Sequence, residues 1–465
     1  MDGRENGKSG RNRDWIRRRE FLASAGIVAG GLAFVPRHVI AAAGKPNPSD
    51  AITIAGVGIG GVGHGQIKSI SEEPGVKITA LCDVDDAFAK KTYDLFPNAP
   101  HCRDYRELLE QYGDKFDALY CGTPDHTHAV ICMAAARKQK HLCCVKPLTR
   151  TIHEVRTLAA EVKQRGLMTQ VTAAPRTSDA ACRVAEMVAA GTIGEVRQVY
   201  CWSNRPLWPQ GMLRPTNIDP VPKTLDWDLW IGPAPMRPFV ERWPDGHYAL
   251  RQVEAGEPPF PAVYHPWNFR GWWDFGTGAL GDMGCHHFNG VFAAMKFRHP
   301  IAIEATSTKV FDETAPLASI VSYDFPAREG LPACRMTWLD GGLKPPRPEG
   351  FDRELPDESD LYIGDKGFIL GSELVPLKGQ SLTPPPQTLV RRGGTWPEWI
   401  EAIRTGKPAG CDFEWAAILT EATLLGNIAI RVGKRLEYDA AAMKFDNSDK
   451  ANELLHYEYR AGWKL

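Results

Sequence analysis

No basic excess marks this chain, because 55 lysines and arginines stand against 56 acids for a formal net charge of -1. Phosphate neutralisation, the term that dominates nucleic-acid binding, has nothing to work with here, so nucleic acid is not an expected partner. Paired cysteines are missing too. The eleven cysteines are an odd number with no C-x-x-C pair, which argues against a disulfide framework or a zinc ribbon. Most read as small buried apolar residues, and adjacent Cys143 and Cys144 are badly spaced for a mutual bridge. No internal repeat or low-complexity tract is visible, and the proline-rich stretches Pro345 to Pro348 and Pro384 to Pro386 read as surface loops. The apolar run Leu22 to Val35 falls short of the roughly 20 residues that span a bilayer, so no stable membrane anchor is expected.

What is present is an ordinary globular composition, 43% hydrophobic and 24% charged, over 465 residues. That length exceeds what one hydrophobic core usually serves and predicts two domains plus a tail. The tail is the N-terminal segment 1–43: Arg17-Arg18-Arg19-Glu20-Phe21-Leu22, the short apolar run, then Ala41 to Ala43. This pattern reads as a twin-arginine export signal and predicts a periplasmic protein. Gly44 to Asp50, with Pro46 and Pro48, reads as a linker.

Ala51 to Val57 is a β-branched run leading into Gly58-Ile59-Gly60-Gly61-Val62-Gly63 and a helix-like segment from Gln66. Strand, glycine turn and helix in that order suit a dinucleotide: one glycine for the turn, one for pyrophosphate approach, one for helix packing. The alternative register, Gly56-x-Gly58-x-x-Gly61, leaves a shorter strand. The next strand, Val76 to Cys82, ends in Asp83, whose carboxylate suits the ribose hydroxyls of NAD and repels the 2′-phosphate of NADP. Two further strands end at Gly122-Thr123-Pro124-Asp125-His126-Thr127-His128 and at Lys146-Pro147. Strand ends are where open α/β sheets bind ligands, so Thr123, Pro124, His126, His128 and Lys146 are candidate cofactor contacts.

These residues resemble the glucose-fructose oxidoreductase and inositol dehydrogenase family (Gfo/Idh/MocA). The glycine turn, Thr123-Pro124-x-x-x-His128, Lys146-Pro147 and Asp274-x-Gly276-x-Gly278-x-x-x-Asp282-x-x-x-His286 follow in that family's order, as does Leu419-Thr420-Glu421-Ala422 to Ala429. The resemblance implies a Rossmann domain (44–175) followed by an α/β domain (176–465) with an open, largely antiparallel sheet, and a homo-oligomer. Two departures stand out. Val145 replaces the usual glutamate before the lysine, and Ala173-Ala174-Pro175 lacks the usual Asn or Gln near the nicotinamide, leaving nearby Gln170 for that place.

Alcohol oxidation needs a base for the O–H proton while hydride leaves for the nicotinamide. Lys146, Asp282 and His286 are the catalytic candidates; Asp282 and His286, four apart, share a face if helical. His286, able to titrate near neutrality, is the leading proton acceptor or donor, Lys146 holds the substrate oxygen and shares the proton, and Asp282 orients the pair. Metal binding by Asp282, His286 and His287 is set aside for want of a third histidine at local spacing. Aromatic residues from Trp202 to Trp273, Tyr264 among them, suit a sugar ring, with Arg205, Asn268 and Arg270 as hydroxyl partners. The substrate side is therefore read as Lys146, Tyr264, Asn268, Arg270, Asp282 and His286. Three functions compete: an NAD-dependent dehydrogenase of a sugar, inositol or related polyol; an enzyme whose tightly held NAD is reduced and reoxidised within one cycle, as in glycoside cleavage by oxidation, elimination and re-reduction; and a non-catalytic sugar-binding relative.

Overall fold

Short apolar runs buried on both faces, rather than alternating, build the first sheet, as parallel strands covered by helices on each side require. In the computed structural model, which describes residues 51–255 and 261–465, these runs form β1 (Ile52–Val57), β2 (Val76–Cys82), β3 (His101–Cys102), β4 (Ala118–Cys121), β5 (His141–Cys144) and β6 (Thr169–Val171). They pair in the order β3-β2-β1-β4-β5-β6, every pair parallel. Between them run α1 (Val62–Ser71), α2 (Asp86–Leu95), α3 (Tyr105–Gln111), α4 (Asp125–Arg137) and α5 (Ile152–Gln164). The order reverses between β1 and β4, and that reversal opens a crevice at the carboxyl ends of the strands. The segment read as an export signal lies outside the described residues.

After α6 (Asp179–Ala189) the chain builds a second sheet. It opens with β7 (Gln198–Trp202) and then detours through a tryptophan-rich insertion holding α7 (Trp227–Ile231) and α8 (Tyr248–Ala255). There follow α9 (Gly278–Met295), β8 (Ala302–Ser307), β9 (Ser319–Phe325), β10 (Cys334–Leu339), β11 (Ser359–Ile363), β12 (Gly367–Leu370) and β13 (Glu373–Pro376). The chain finishes with α10 (Thr395–Thr405), α11 (Phe413–Val432), β14 (Leu436–Asp439), β15 (Lys444–Phe445) and α12 (Asp449–Glu453). The nine strands pair in the order β13-β12-β11-β7-β10-β9-β8-β14-β15. β7 and β10 are parallel and the remaining pairs antiparallel, so the expected Rossmann domain plus open, largely antiparallel sheet is the observed fold. Strict in-and-out burial along β9 shows that one face is packed and the other faces outward.

Two features depart from a simple division at residue 175. Trp399, Ile400 and Ile403 of α10 share a core with Ile52, Ile54 and Tyr120, so a helix late in the chain closes the Rossmann core. The insertion has its own core around Trp227, Trp230, Trp243 and Trp272. It is stitched to the Rossmann strand ends where Asp86 N–H donates to Thr224 O (3.0 Å) and Asp226 N–H to Val84 O (2.8 Å). All eleven cysteines are free thiols. Helix α11 is long and apolar enough to cross a membrane, yet it packs against α5, α9 and β8 as a core helix.

One buried ion pair ties α5 to α11. Glu421, 1% exposed, accepts from Arg156 Nε and Nη2, each at 2.6 Å, and from the Tyr438 hydroxyl at 2.9 Å. Burial pushes this carboxyl up, but Arg156 and His299 outweigh it and bring it down to about 2. Because the folded value lies below the unfolded one of roughly 4.3, the stabilisation is present at neutral pH and fades as pH falls from there toward the folded value. Glu421→Ala is expected to lower unfolding free energy by about 3 kcal/mol at pH 7 in denaturant titrations. The difference from the parent should shrink below about pH 4; a loss under about 1 kcal/mol at pH 7 would contradict this account.

Candidate functional site

A cavity of about 560 Å³ occupies the crevice, walled by the β1, β2 and β4 ends, the start of α9 and the insertion, within the range of small-molecule sites. Strand β1 contains Gly56 and stops at Val57, so the turn runs from Gly58 to Gly61 and α1 starts at Val62. Gly58 has φ +72°, and a Cβ on it would meet the Thr123 backbone at 2.6 Å. At Gly63 a Cβ would lie 2.1 Å from Gly58 O, which explains the close approach of helix to turn. At Gly60 it would strike the Phe88 ring at 2.2 Å. A turn this bare, at the positive end of the α1 dipole, is a cradle that suits a pyrophosphate.

Asp83 holds that cradle in shape. Its Oδ2 accepts from Ile59 N–H (2.9 Å) and Gly60 N–H (3.1 Å), and its Oδ1 from Asp85 N–H (3.0 Å). Burial raises its pKa despite these bonds. The carboxylate lies on the cavity wall, so it shapes the turn as well as facing the place a ribose would take. His265, from the insertion, stands opposite: its Nε2 meets Asp85 Oδ2 at 3.1 Å. Burial pushes Asp85 up, and that histidine, with the Phe88 and Ala87 amides, more than offsets it, leaving its pKa lowered.

The other end of the cavity holds the titratable cluster. Lys146 follows β5, and its Nζ donates to Asp282 Oδ1 at 2.6 Å; Arg270, from the insertion, donates Nε to the same oxygen at 2.9 Å. Burial would raise the Asp282 carboxyl, but the two cations together hold it well below the usual carboxylate range. Stacking of the Arg270 guanidinium 4.1 Å over the Trp267 ring fixes its plane. Asp282 is thereby the carboxylate that holds Lys146, Val145 having none to offer. Helix α9 carries both Asp282 and His286, and the i,i+4 spacing turns both toward the cavity.

His286 differs from the role read for it in the sequence. Ala174 N–H donates to its Nδ1 at 3.0 Å. Asn289, one turn further along α9, grips the Ala174 carbonyl at 2.8 Å and is itself held by Trp415 Nε1 at 2.7 Å. With Nδ1 occupied as an acceptor, the neutral ring carries its proton on Nε2. Burial first, and the Lys146 ammonium second, push its pKa down to about 3. A ring in that state donates a hydrogen bond and cannot take a proton at Nε2 without losing the Ala174 bond.

The other candidates divide between the cavity wall and the interior. Thr123 and Pro124 line the cavity. His126 does not: it is fully buried, with Nδ1 3.2 Å from Phe275 O and Nε2 2.9 Å from Trp230 O, and burial lowers its pKa to about 3. It links the α4 start to the insertion. His128 is equally buried, its ring nitrogens against Pro147 O (2.9 Å) and Thr123 O (2.7 Å), so it braces the two loops that carry cavity residues. Gln170 points to the opposite side of β6, donating to Thr395 O at 3.2 Å and accepting from Cys411 N–H at 2.9 Å. Tyr264 is packed among Trp227, Trp272 and Phe275, and Asn268 donates to Ala262 O at 2.6 Å; both build the insertion core, not the cavity wall. His287 turns from Asp282 to Asp360 (2.8 Å), which outweighs burial and raises its pKa. Among the described residues the group bringing three metal-type ligand atoms together is Cys121, Cys132 and Cys144, all buried, with sulfurs within 4.8 Å of one another. Wall residues the sequence did not single out include Phe88, Asp104, Tyr105, His265 and Trp463.

Fold and cavity together define a protein with a dinucleotide-binding Rossmann domain whose crevice is completed by a second α/β domain. Residues 52–173 match the oxidoreductase family with an NAD-binding Rossmann fold, which makes this first domain an NAD-binding one. The uncharacterized oxidoreductase YrbE of Bacillus subtilis is 27% identical over 171 residues, 37% of this chain and 46% of that one. The dTDP-3,4-didehydro-2,6-dideoxy-alpha-D-glucose 3-reductase of Actinomadura kijaniata is 30% identical over 148 residues, 32% and 44% of the two chains. The chain thus spans about half the length of the curated relatives it matches. In fold, it is similar to the WlbA dehydrogenase from Bordetella pertussis, solved in complex with NADH and UDP-GlcNAcA. That match has a TM-score of 0.58 at 13% identity and covers 84% of this chain and 99% of that one.

The tautomer of His286 can be read directly. Nitrogen-15 NMR of imidazole-labelled protein is expected to show it neutral and Nε2-protonated from pH 8 down to about 4. A titration midpoint near 6.5, or an Nδ1–H signal, would contradict the assignment.

Proposed function

We propose that the chain is an NAD-dependent oxidoreductase that moves hydride between the nicotinamide and a secondary alcohol carbon of a sugar, inositol or glycoside. One observation carries it: Lys146, Asp282, Arg270 and His286 converge on the same cavity whose other wall is the glycine turn with Asp83. A bound nicotinamide supplies the hydride acceptor or donor. The protein supplies the rest. Asp83, followed by Val84, Asp85 and Asp86 with no base among them, favours NAD over NADP.

Lys146 Nζ is the group we assign to proton transfer, taking the alcohol proton in oxidation and returning it in reduction. Two cations against one carboxylate leave a net positive charge where the substrate oxygen becomes an alkoxide. His286 Nε2–H donates to that oxygen or to a neighbouring hydroxyl. Asp282 and Arg270 keep Nζ in place, and Trp267, half-buried on the wall, offers apolar surface to a sugar ring. We further propose, on the Arg17-Arg18-Arg19 segment, that the protein works outside the cytoplasm, which fractionation of the native cells would test.

The purified protein is to be offered NAD+ with a panel of polyols, sugars and glycosides, following absorbance of NADH and loss of substrate. Lys146→Met should cut turnover by at least about 100-fold while NAD+ still binds. Undiminished turnover in that variant removes Lys146 from the chemistry. Glycoside loss without net NADH assigns the self-contained redox cycle, and binding without turnover of any panel member assigns a sugar-binding relative.

A further inference from the structure

The segment 455–465 crosses both parts of the molecule. It is fastened to the Rossmann helices where His153 N–H donates to Leu455 O (3.0 Å), where Arg150 stacks 3.5 Å over the Tyr457 ring, and where the Tyr459 hydroxyl donates to Glu154 Oε1 (2.6 Å). It is fastened to the insertion by Arg460, which donates to Asp228 Oδ1 (2.6 Å), Asp228 O (3.0 Å) and Gly232 O (3.1 Å). Beyond these anchors the chain turns, Trp463 N–H donating to Arg460 O at 3.1 Å, and the indole comes down beside Tyr105 and under the Arg106 guanidinium, 4.9 Å from its ring. Trp463 then lines the same cavity as Gly60, Asp83 and Thr127.

Its place in that cavity follows from the order of the fold. The pyrophosphate belongs at the turn before α1, and the ribose belongs at Asp83 on the β2 end. The adenine must then lie further out on the same side, toward Asp104, Tyr105, Thr127 and Ile131, and away from Lys146 and Asp282. That is where the Trp463 ring stands. We propose that Trp463 is an adenine-binding residue and that the segment 455–465 is a strap which, through Arg460, closes the adenosine half of the dinucleotide site. A flat indole beside a flat base gains stacking that a hydrogen-bonding loop does not, and a strap held by both domains must loosen before the cofactor leaves.

This inference rests on the NAD-binding reading of the crevice. Calorimetric titration of the purified protein separates the two, using NAD+ and, in parallel, nicotinamide mononucleotide, which lacks the adenosine. Trp463→Ala should weaken NAD+ about tenfold and leave the mononucleotide unchanged, while Trp463→Phe keeps most of the affinity. Arg460→Ala should speed NAD+ release in stopped-flow displacement. Equal NAD+ affinity in Trp463→Ala and the parent overturns the strap alone, as does equal weakening of both ligands, which marks a general structural role. A parent protein that binds no NAD+ overturns the functional reading and this inference together.

Discussion

Everything at the Lys146 end of the crevice depends on one carboxylate. Asp282 is buried on α9, and a buried charge is tolerated only when paired, since desolvation of each ion costs several kcal/mol. Here it is paired twice, by Lys146 from the Rossmann strand end and by Arg270 from the insertion, on a single oxygen. Removing it would leave two cations side by side in a low-dielectric pocket. The pair therefore joins the two domains and, in the same stroke, fixes the position of the only ammonium group on the described cavity wall. With Val145 before the lysine, Asp282 is the carboxylate that pairs Lys146.

The second constraint is that the crevice has no complete wall within either sheet. Between β7 and α9 the chain leaves to build a small aromatic core, and that core reaches back to the β2 end through Thr224, Asp226 and His265. Helix α10 and the segment 455–465 also return to the Rossmann side. The cavity is thus walled by the Rossmann strand ends together with pieces of the insertion and of the segment 455–465, while α10 closes the Rossmann core behind it.

The parts of this arrangement set by local spacing were legible in the sequence. The glycine turn after a β-branched run and the i,i+4 pair Asp282 and His286 depend on contacts within a few residues. Residues whose role depends on distant partners were not. His126, His128 and Gln170 sit at strand or helix ends, where ligands bind, yet their side chains are consumed by backbone carbonyls and amides from elsewhere. Tyr264 and Asn268 belong to an aromatic core that no periodicity announces. The state of His286 could not be read either, because the group that sets it is the Ala174 backbone amide, which has no side-chain signature. Trp463 gave no signal at all: a lone tryptophan near the end of a polar stretch acquires meaning only when the fold brings it against Tyr105.

The most direct test of the central claim is a crystal structure of the protein with NAD+ and a bound polyol or glycoside. The account predicts the pyrophosphate on the glycine turn and the nicotinamide ring at the Asp282 end, with a substrate oxygen about 3 Å from Lys146 Nζ. A nicotinamide lying away from Lys146 and Asp282, or a substrate oxygen held by groups on another surface, would contradict it.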